Sequence, residues 1–280
     1  MKCLVVNYID LNMNGIKLPK WLDDYIFNYL GATYCRCNTD MVVLDWDKSK
    51  VLQYLGTYFP RSFVESYTIF SKYIQKRMHN YNKLAEINIF DFGCGTGGEI
   101  IGLIFAINEL LPNIKDINIQ ALDGNSYSLR ILEKILFKYS DICITSINLN
   151  VFPENIEDFY DMSITDRIIT QRFDFIISFK AICEFVTKQQ FETKNPYEYF
   201  INVFLPKLSD SGIICISDIT SYNDVSQEWL PTMMDKAINE SHAIFLEGNS
   251  GYNEAFIVSH SRKKNDISKI AWRLLTKKYK

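Results

Sequence analysis

The stretch Ile87-Asn-Ile-Phe-Asp-Phe-Gly-Cys-Gly-Thr-Gly-Gly-Glu-Ile-Ile101 constrains this chain more than any other. An apolar strand enters a glycine turn, and the turn opens directly into an apolar helix. Gly93, Gly95, Gly97 and Gly98 let the backbone take positive φ and approach a ligand where a side chain would collide. Strand, glycine turn and helix in that order are the first unit of a Rossmann-like sheet. Gly93, Gly95 and Gly98 also satisfy the dinucleotide pattern G-x-G-x-x-G, so the turn alone leaves the ligand open.

The 280 residues suffice for one large α/β domain with a smaller appendage, and a net charge of −3 gives no strong overall field towards nucleic acid or an anionic membrane. No apolar run is long enough to span a bilayer and no signal-peptide layout is present, so a cytoplasmic protein is expected. The seven cysteines suit reduced, core-filling thiols rather than a disulfide framework. Cys35 and Cys37 lack a second pair, and His79, His242 and His260 are scattered, so no metal site is expected.

Residues 1–82 carry helical spacing and none of the sheet-type glycine turns, and are expected to form a helical extension or lid. Its segments are Trp21 to Leu30 after Pro19, Val51 to Phe59 ended by Pro60, and a third from Ser62. Residues 83–262 alternate strands with helices, the signature of a parallel sheet covered on both faces. Strands are expected at 87–92, 117–122, 142–149, 173–179 and 213–217, followed by a hairpin of 242–246 and 254–259. The predicted fold is a Rossmann-like seven-stranded α/β sheet, with five parallel βα units plus a C-terminal hairpin and the helical N-terminal extension. Residues 263–280 read as a basic tail or amphipathic helix, with Ile267, Ile270, Ala271 and Leu274 at helical spacing.

Asp91-Phe-Gly-Cys-Gly-Thr-Gly97 closely resembles motif I of the class I S-adenosylmethionine-dependent methyltransferases, and the resemblance continues through residue 260 with the motifs in family order. It implies a donor cradle of Asp91, Gly93, Cys94, Gly95 and Gly97, and a ribose contact from Asp123 with Gly124 beside it. A carboxylate suits two hydroxyls because it accepts two hydrogen bonds at once. Asn148 to Pro153 looks like the family's segment after the third strand, which places Asn148 and Leu149 at the adenine, with Asn150 as the rival. Phe173-Asp-Phe-Ile resembles the strand-four motif, and Leu205 to Asp218 the strand-five segment. Phe179 is expected to cover the methyl donor. Weakly, the Tyr-Leu…Pro block ahead of motif I is similar to the ribosomal small-subunit methyltransferase-like group, without that group's cysteine cluster.

Methyl transfer needs in-line approach of a lone pair, so positioning can supply much of the acceleration and catalytic groups can be few. At the end of strand four, Glu184 is the candidate to orient or deprotonate an acceptor and Lys180 to bind an anionic one. Tyr58, Arg61, Tyr67 and Asp218 are the candidate acceptor contacts. Trp272 and Tyr279 in the basic tail suit RNA. The expected function is methyl transfer from S-adenosyl-L-methionine to a small molecule or a structured RNA. The alternative is a non-catalytic binding module acting in assembly or regulation.

Overall fold

The computed structural model describes residues 15–36, 47–156, 158–185 and 188–278. Cys3, Cys37 and Tyr279 lie outside them. The central sheet has seven strands: β1 Glu86–Phe92, β2 Asp116–Leu122, β3 Ser146–Phe152, β4 Phe173–Phe179, β5 Leu208–Ile219, β6 Ala243–Asn249 and β7 Ile270–Lys277. Their order across the sheet is β3-β2-β1-β4-β5-β7-β6. The first five run parallel, and β7 lies antiparallel between β5 and β6. All seven residues of β4 are buried, which explains why it is apolar apart from Asp174 and Ser178. Its one acidic residue, Asp174, accepts the Asn88 N–H at 2.9 Å and the Ser209 hydroxyl at 2.7 Å.

Five helices cover the sheet: α1 Lys48–Tyr81, α2 Gly98–Leu110 and α3 Ser126–Ser140 on one face, α4 Pro196–Phe204 and α5 Leu230–Glu240 on the other. The two expected helices on either side of Pro60 are one continuous helix, which runs on to a kink at Arg77, where φ −132° and ψ 25° leave the helical region. Proline costs a helix interior roughly 3 kcal/mol, and here the helix continues through Pro60 with the residues from Phe59 to Ser66 all buried. The helix α1 crosses α2 at contact distance. A Cβ on Gly98 would stand 2.6 Å from the Phe59 carbonyl oxygen, and one on Gly102 would stand 2.5 Å from that of Phe63. These glycines are there because a backbone lies against them. The described part of the N-terminal segment thus packs on the domain through α1.

The C-terminal expectation is corrected. Residues 263–268 pair antiparallel with Phe256–His260, which pairs in turn with Ile16–Lys17, and this small sheet precedes β7. The hairpin partner of β6 is thus β7, and residues 254–259 lie outside the central sheet. No tail helix exists among the described residues. An inner strand is apolar on both faces, so Ile270, Ala271 and Leu274 match a helical spacing by coincidence, while Ile267 lies in the preceding strand. Trp272 is buried against the core, and buried Arg273 donates to Asp235 at 2.7 Å and to the Asn249 and Trp272 carbonyls. Neither is available to RNA. No helix among the described residues is long and apolar enough to cross a membrane.

Candidate active site

The glycine turn sits at the carboxyl ends of β1 and β2, the end of an open α/β sheet where ligands bind. Gly93, Gly95 and Gly97 have φ of 73°, 49° and 78°. The N–H groups of Gly93 and Cys94 donate to the Leu122 carbonyl at 2.8 and 3.1 Å, which ties the turn to β2. Asp123 completes the tie: Oδ2 accepts the Gly95 N–H at 2.7 Å and Oδ1 the Asn125 N–H at 2.7 Å. Burial raises the Asp123 pKa, opposed by these two donors. Each of its oxygens keeps a further lone pair for a ligand. Gly124 forms the turn between them, and Asn125 caps α3 by accepting from Tyr127 and Ser128.

Under the turn lies an acidic cluster. Asp91 is fully buried, and neither carboxylate oxygen has a hydrogen-bond donor. Burial pushes its pKa well up, reinforced by the charges of Glu99 and Asp123. Glu99, in the first turn of α2, is pushed up to about 8, by burial first, with Glu65 and Asp123 adding to the rise and its own N–H and Lys180 opposing it. Tyr54 projects from α1 onto Gly95, where a Cβ would lie 3.2 Å from the ring. Its phenol is pushed well up by burial and by the charges of Glu184, Glu99 and Asp123. Glu65 and Glu99 were not singled out by motif, and Tyr54 entered only as the first residue of the Tyr-Leu…Pro block. Glu99 had a signal, being the only charged residue in the otherwise apolar run from Gly98 to Ile107.

At the end of β4, Phe179 is buried against Phe70, with ring centroids 6.5 Å apart. Lys180 follows in the left-handed region with φ 55°, a strained conformation for a residue with a Cβ. Its Nζ donates to Glu65 Oε2 at 2.6 Å, and the other oxygen of Glu65 accepts the Ser268 hydroxyl. Glu184 lies in the short helix Ile182–Phe185, half-buried, its N–H donating to the Ala181 carbonyl. The structure therefore brings Asp91, Gly95, Asp123, Tyr54, Glu184 and Lys180 to one end of the sheet.

Other expected residues fall elsewhere. Asn148 donates to Asn118 at 2.9 Å, and Asn118 donates to Asn88 at 3.1 Å, forming a ladder near the amino ends of β3, β2 and β1. Leu149 is mid-strand, facing the core under α3. Both assignments came from the resemblance of Asn148 to Pro153 to the family's segment after the third strand, which was expected to end at 149. It starts at 146, so the residues that reach the level of Asp123 are Pro153 and Glu154. Asp218 is buried and committed: it accepts from the Cys183 N–H, the Tyr197 hydroxyl and the Ile219 N–H, each at 3.0 Å, and so anchors the loop carrying Glu184. Tyr67 is buried and donates to Glu109 at 2.5 Å, at the far end of α2.

Arg61 forms a two-pronged pair with Asp266, Nε to Oδ2 at 2.9 Å and Nη2 to Oδ1 at 2.8 Å. Burial opposes ionisation of Asp266, but the His260 ring and the Arg61 guanidinium outweigh it and hold the carboxyl down at about 2. His260 Nε2 is 3.9 Å away, beyond hydrogen-bond reach, so the two Arg61 contacts dominate. Of the four acceptor contacts expected, Tyr58 alone adjoins the site, stacked on Tyr54 at 5.0 Å.

No family model matches the chain, and no curated protein does. Solved structures that it resembles include a putative methyltransferase from Thermoplasma acidophilum, 11% identical, TM-score 0.42, covering 69% of each chain. TrmN from Thermus thermophilus is 14% identical with TM-score 0.43, matching 80% of this chain and 53% of that one. An rRNA methyltransferase from Streptomyces viridochromogenes is 11% identical with TM-score 0.41, matching 74% and 83%. The chain thus spans about half the length of TrmN. The sheet has the Rossmann-like form, and methyltransferases recur among its structural neighbours.

Proposed function

We propose that this chain is an S-adenosylmethionine-dependent methyltransferase. The observation that carries the reading is Asp91, a buried carboxylate with no donor beneath a glycine turn already fixed by Asp123. Burying an unpaired charge is costly unless something of opposite sign completes the site. A cofactor with cationic groups on its methionine part and hydroxyls on its ribose fits that set, whereas a dinucleotide's pyrophosphate would bring more negative charge to Asp91, Glu99 and Asp123.

Asp123 would accept the ribose hydroxyls through its spare lone pairs, Gly95 and Gly97 would give the close backbone approach, and Asp91 would face the cationic portion. When bound, the cofactor supplies an electrophilic methyl on a sulfonium sulfur. Glu184 takes the proton that the acceptor loses, and Lys180, held by Glu65, orients the acceptor across from the donor. A small acceptor is favoured over RNA, because Trp272 and Arg273 are built into the sheet. The non-catalytic binding module is not favoured. Free thiols at Cys94, Cys143, Cys183 and Cys215 support work in the reducing cytoplasm.

Calorimetry with S-adenosylmethionine tests the cofactor. Asp123→Ala is expected to weaken binding by at least about tenfold, since hydrogen bonds to a charged group contribute roughly 1.5–3 kcal/mol each. Unchanged affinity would sink the reading. Tritiated methyl transfer into cell extract, fractionated into RNA, protein and small molecules, tests the acceptor, with label expected in the small-molecule fraction.

A further inference from the structure

Resting on the cofactor reading above, we propose that Asp91 and Glu99 share one proton in the empty site and that the cofactor's positive charge expels it, making donor binding proton-linked. Glu99 thereby joins Asp91 as a residue that selects ligands by charge.

The geometry starts from an orphaned group. Asp91 is fully buried, Glu99 is 4% exposed, and the Glu99 carboxyl is near enough for its charge to act on that of Asp91. Two ionised carboxylates offer only acceptors, which is why Asp91 Oδ1 and Oδ2 have no partner. One proton between the two carboxyls supplies the missing donor and removes a like-charge repulsion. The neighbours do not supply it instead. Around the pair stand Glu65 and Tyr54 from α1, Asp123 from the end of β2, Lys180 and Glu184 from the chain after β4, and Cys94 and Cys215 beside Asp91. Lys180 is the single cation in that ring, and its Nζ is bonded to Glu65. Burial raises both acids, Glu99 to about 8.

The sign follows directly. A cation placed beside the pair favours its ionised form, so binding lowers the pair's pKa and releases a proton. Affinity for such a ligand therefore rises with pH while the empty pair is still protonated. For one proton the increase approaches tenfold per pH unit. A ligand with the same adenosine part and no cationic group has nothing to expel the proton.

The test is calorimetry of the full chain between pH 6 and 7.5, in paired buffers of different ionisation enthalpy, with S-adenosylmethionine and with 5′-methylthioadenosine, which lacks both sulfonium and ammonium. The expected result is release of about one proton with S-adenosylmethionine and almost none with 5′-methylthioadenosine. The affinity for the first should tighten about tenfold per pH unit. Glu99→Gln, in which an amide supplies Asp91 with a permanent donor, should bind without proton release. Near-ultraviolet circular dichroism confirms that this variant is folded, and Glu99→Asp, which keeps the carboxyl, should restore part of the release. Equal release with both ligands, no release with either, or full release from Glu99→Gln overturns the shared proton while leaving the cofactor reading intact. Failure of both ligands to bind at any pH overturns the cofactor reading itself and this inference with it.

Discussion

Two buried carboxylates in this molecule receive opposite treatment. Asp266, in the small sheet, is gripped by two nitrogens of Arg61 and its pKa falls to about 2. Asp91, at the end of β1, has no donor at all and its pKa is raised, chiefly by burial. The first region is finished within the chain: charge meets charge, and the pair fastens α1 to the small sheet. The second is left open, and the free energy that a partner would recover is available to a ligand. Where a fold satisfies its buried polar groups it is holding itself together, and where it leaves one raw at the mouth of a sheet it is holding a place.

The largest expected effect breaks the finished side. Asp266→Ala strands the Arg61 guanidinium in the interior and should cost about 3–5 kcal/mol in a denaturation midpoint experiment, with cofactor affinity per folded molecule unchanged. The wild-type pair also sets an acid limit. Because the folded pKa is depressed, its contribution is present above the ordinary aspartate value near 4 and disappears as pH falls through about 2.

Next comes the helix crossing that supports the open side. Gly102→Ala puts a Cβ 2.5 Å from the Phe63 carbonyl oxygen, and the overpacking should cost about 1–3 kcal/mol in thermal or chemical melts.

The open side should respond to pH in the reverse sense from Asp266. Glu99 has a raised folded pKa, so its stabilising contribution is complete below the ordinary glutamate value and is lost as pH rises towards about 8. Without ligand the protein should lose on the order of 1 kcal/mol per pH unit across that window. Glu99→Gln should flatten the profile, as equilibrium denaturation at stepped pH would show. The smallest effect sharpens the boundary of the site. Asn148→Ala removes one exposed rung of the asparagine ladder, and should change stability by under about 0.5 kcal/mol and S-adenosylmethionine affinity not at all.

The parallel half of the sheet was legible because its strands are short apolar runs separated by amphipathic helices, a pattern each segment carries locally. The glycine turn and Asp123 were legible for the same reason: their partnership spans one βα unit. Residues 270–277 were not, since a strand buried on both faces loses the alternation that marks strands and here shares its spacing with a helix. The boundary of β3 slipped by four residues because Ile142 and Ile144, 46% and 90% exposed, extended the apolar run beyond the paired strand. Tyr54 reaches Gly95, and Glu65 reaches Glu99, only because α1 lies across α2, which no spacing within either helix records. Arg61 and Asp266 are 205 residues apart, and Arg61 looked like a ligand contact only while its partner was out of view.

The position of β7 has a consequence for how the molecule is made. Parallel strands β1 to β5 can assemble as they leave the ribosome, but β6 touches the sheet only through β7. Until residue 277 has been synthesised, β5 and β6 each present an open edge to other chains. Residues 270–277 act as a keystone, and a product lacking them is exposed to aggregation even though its glycine turn is complete.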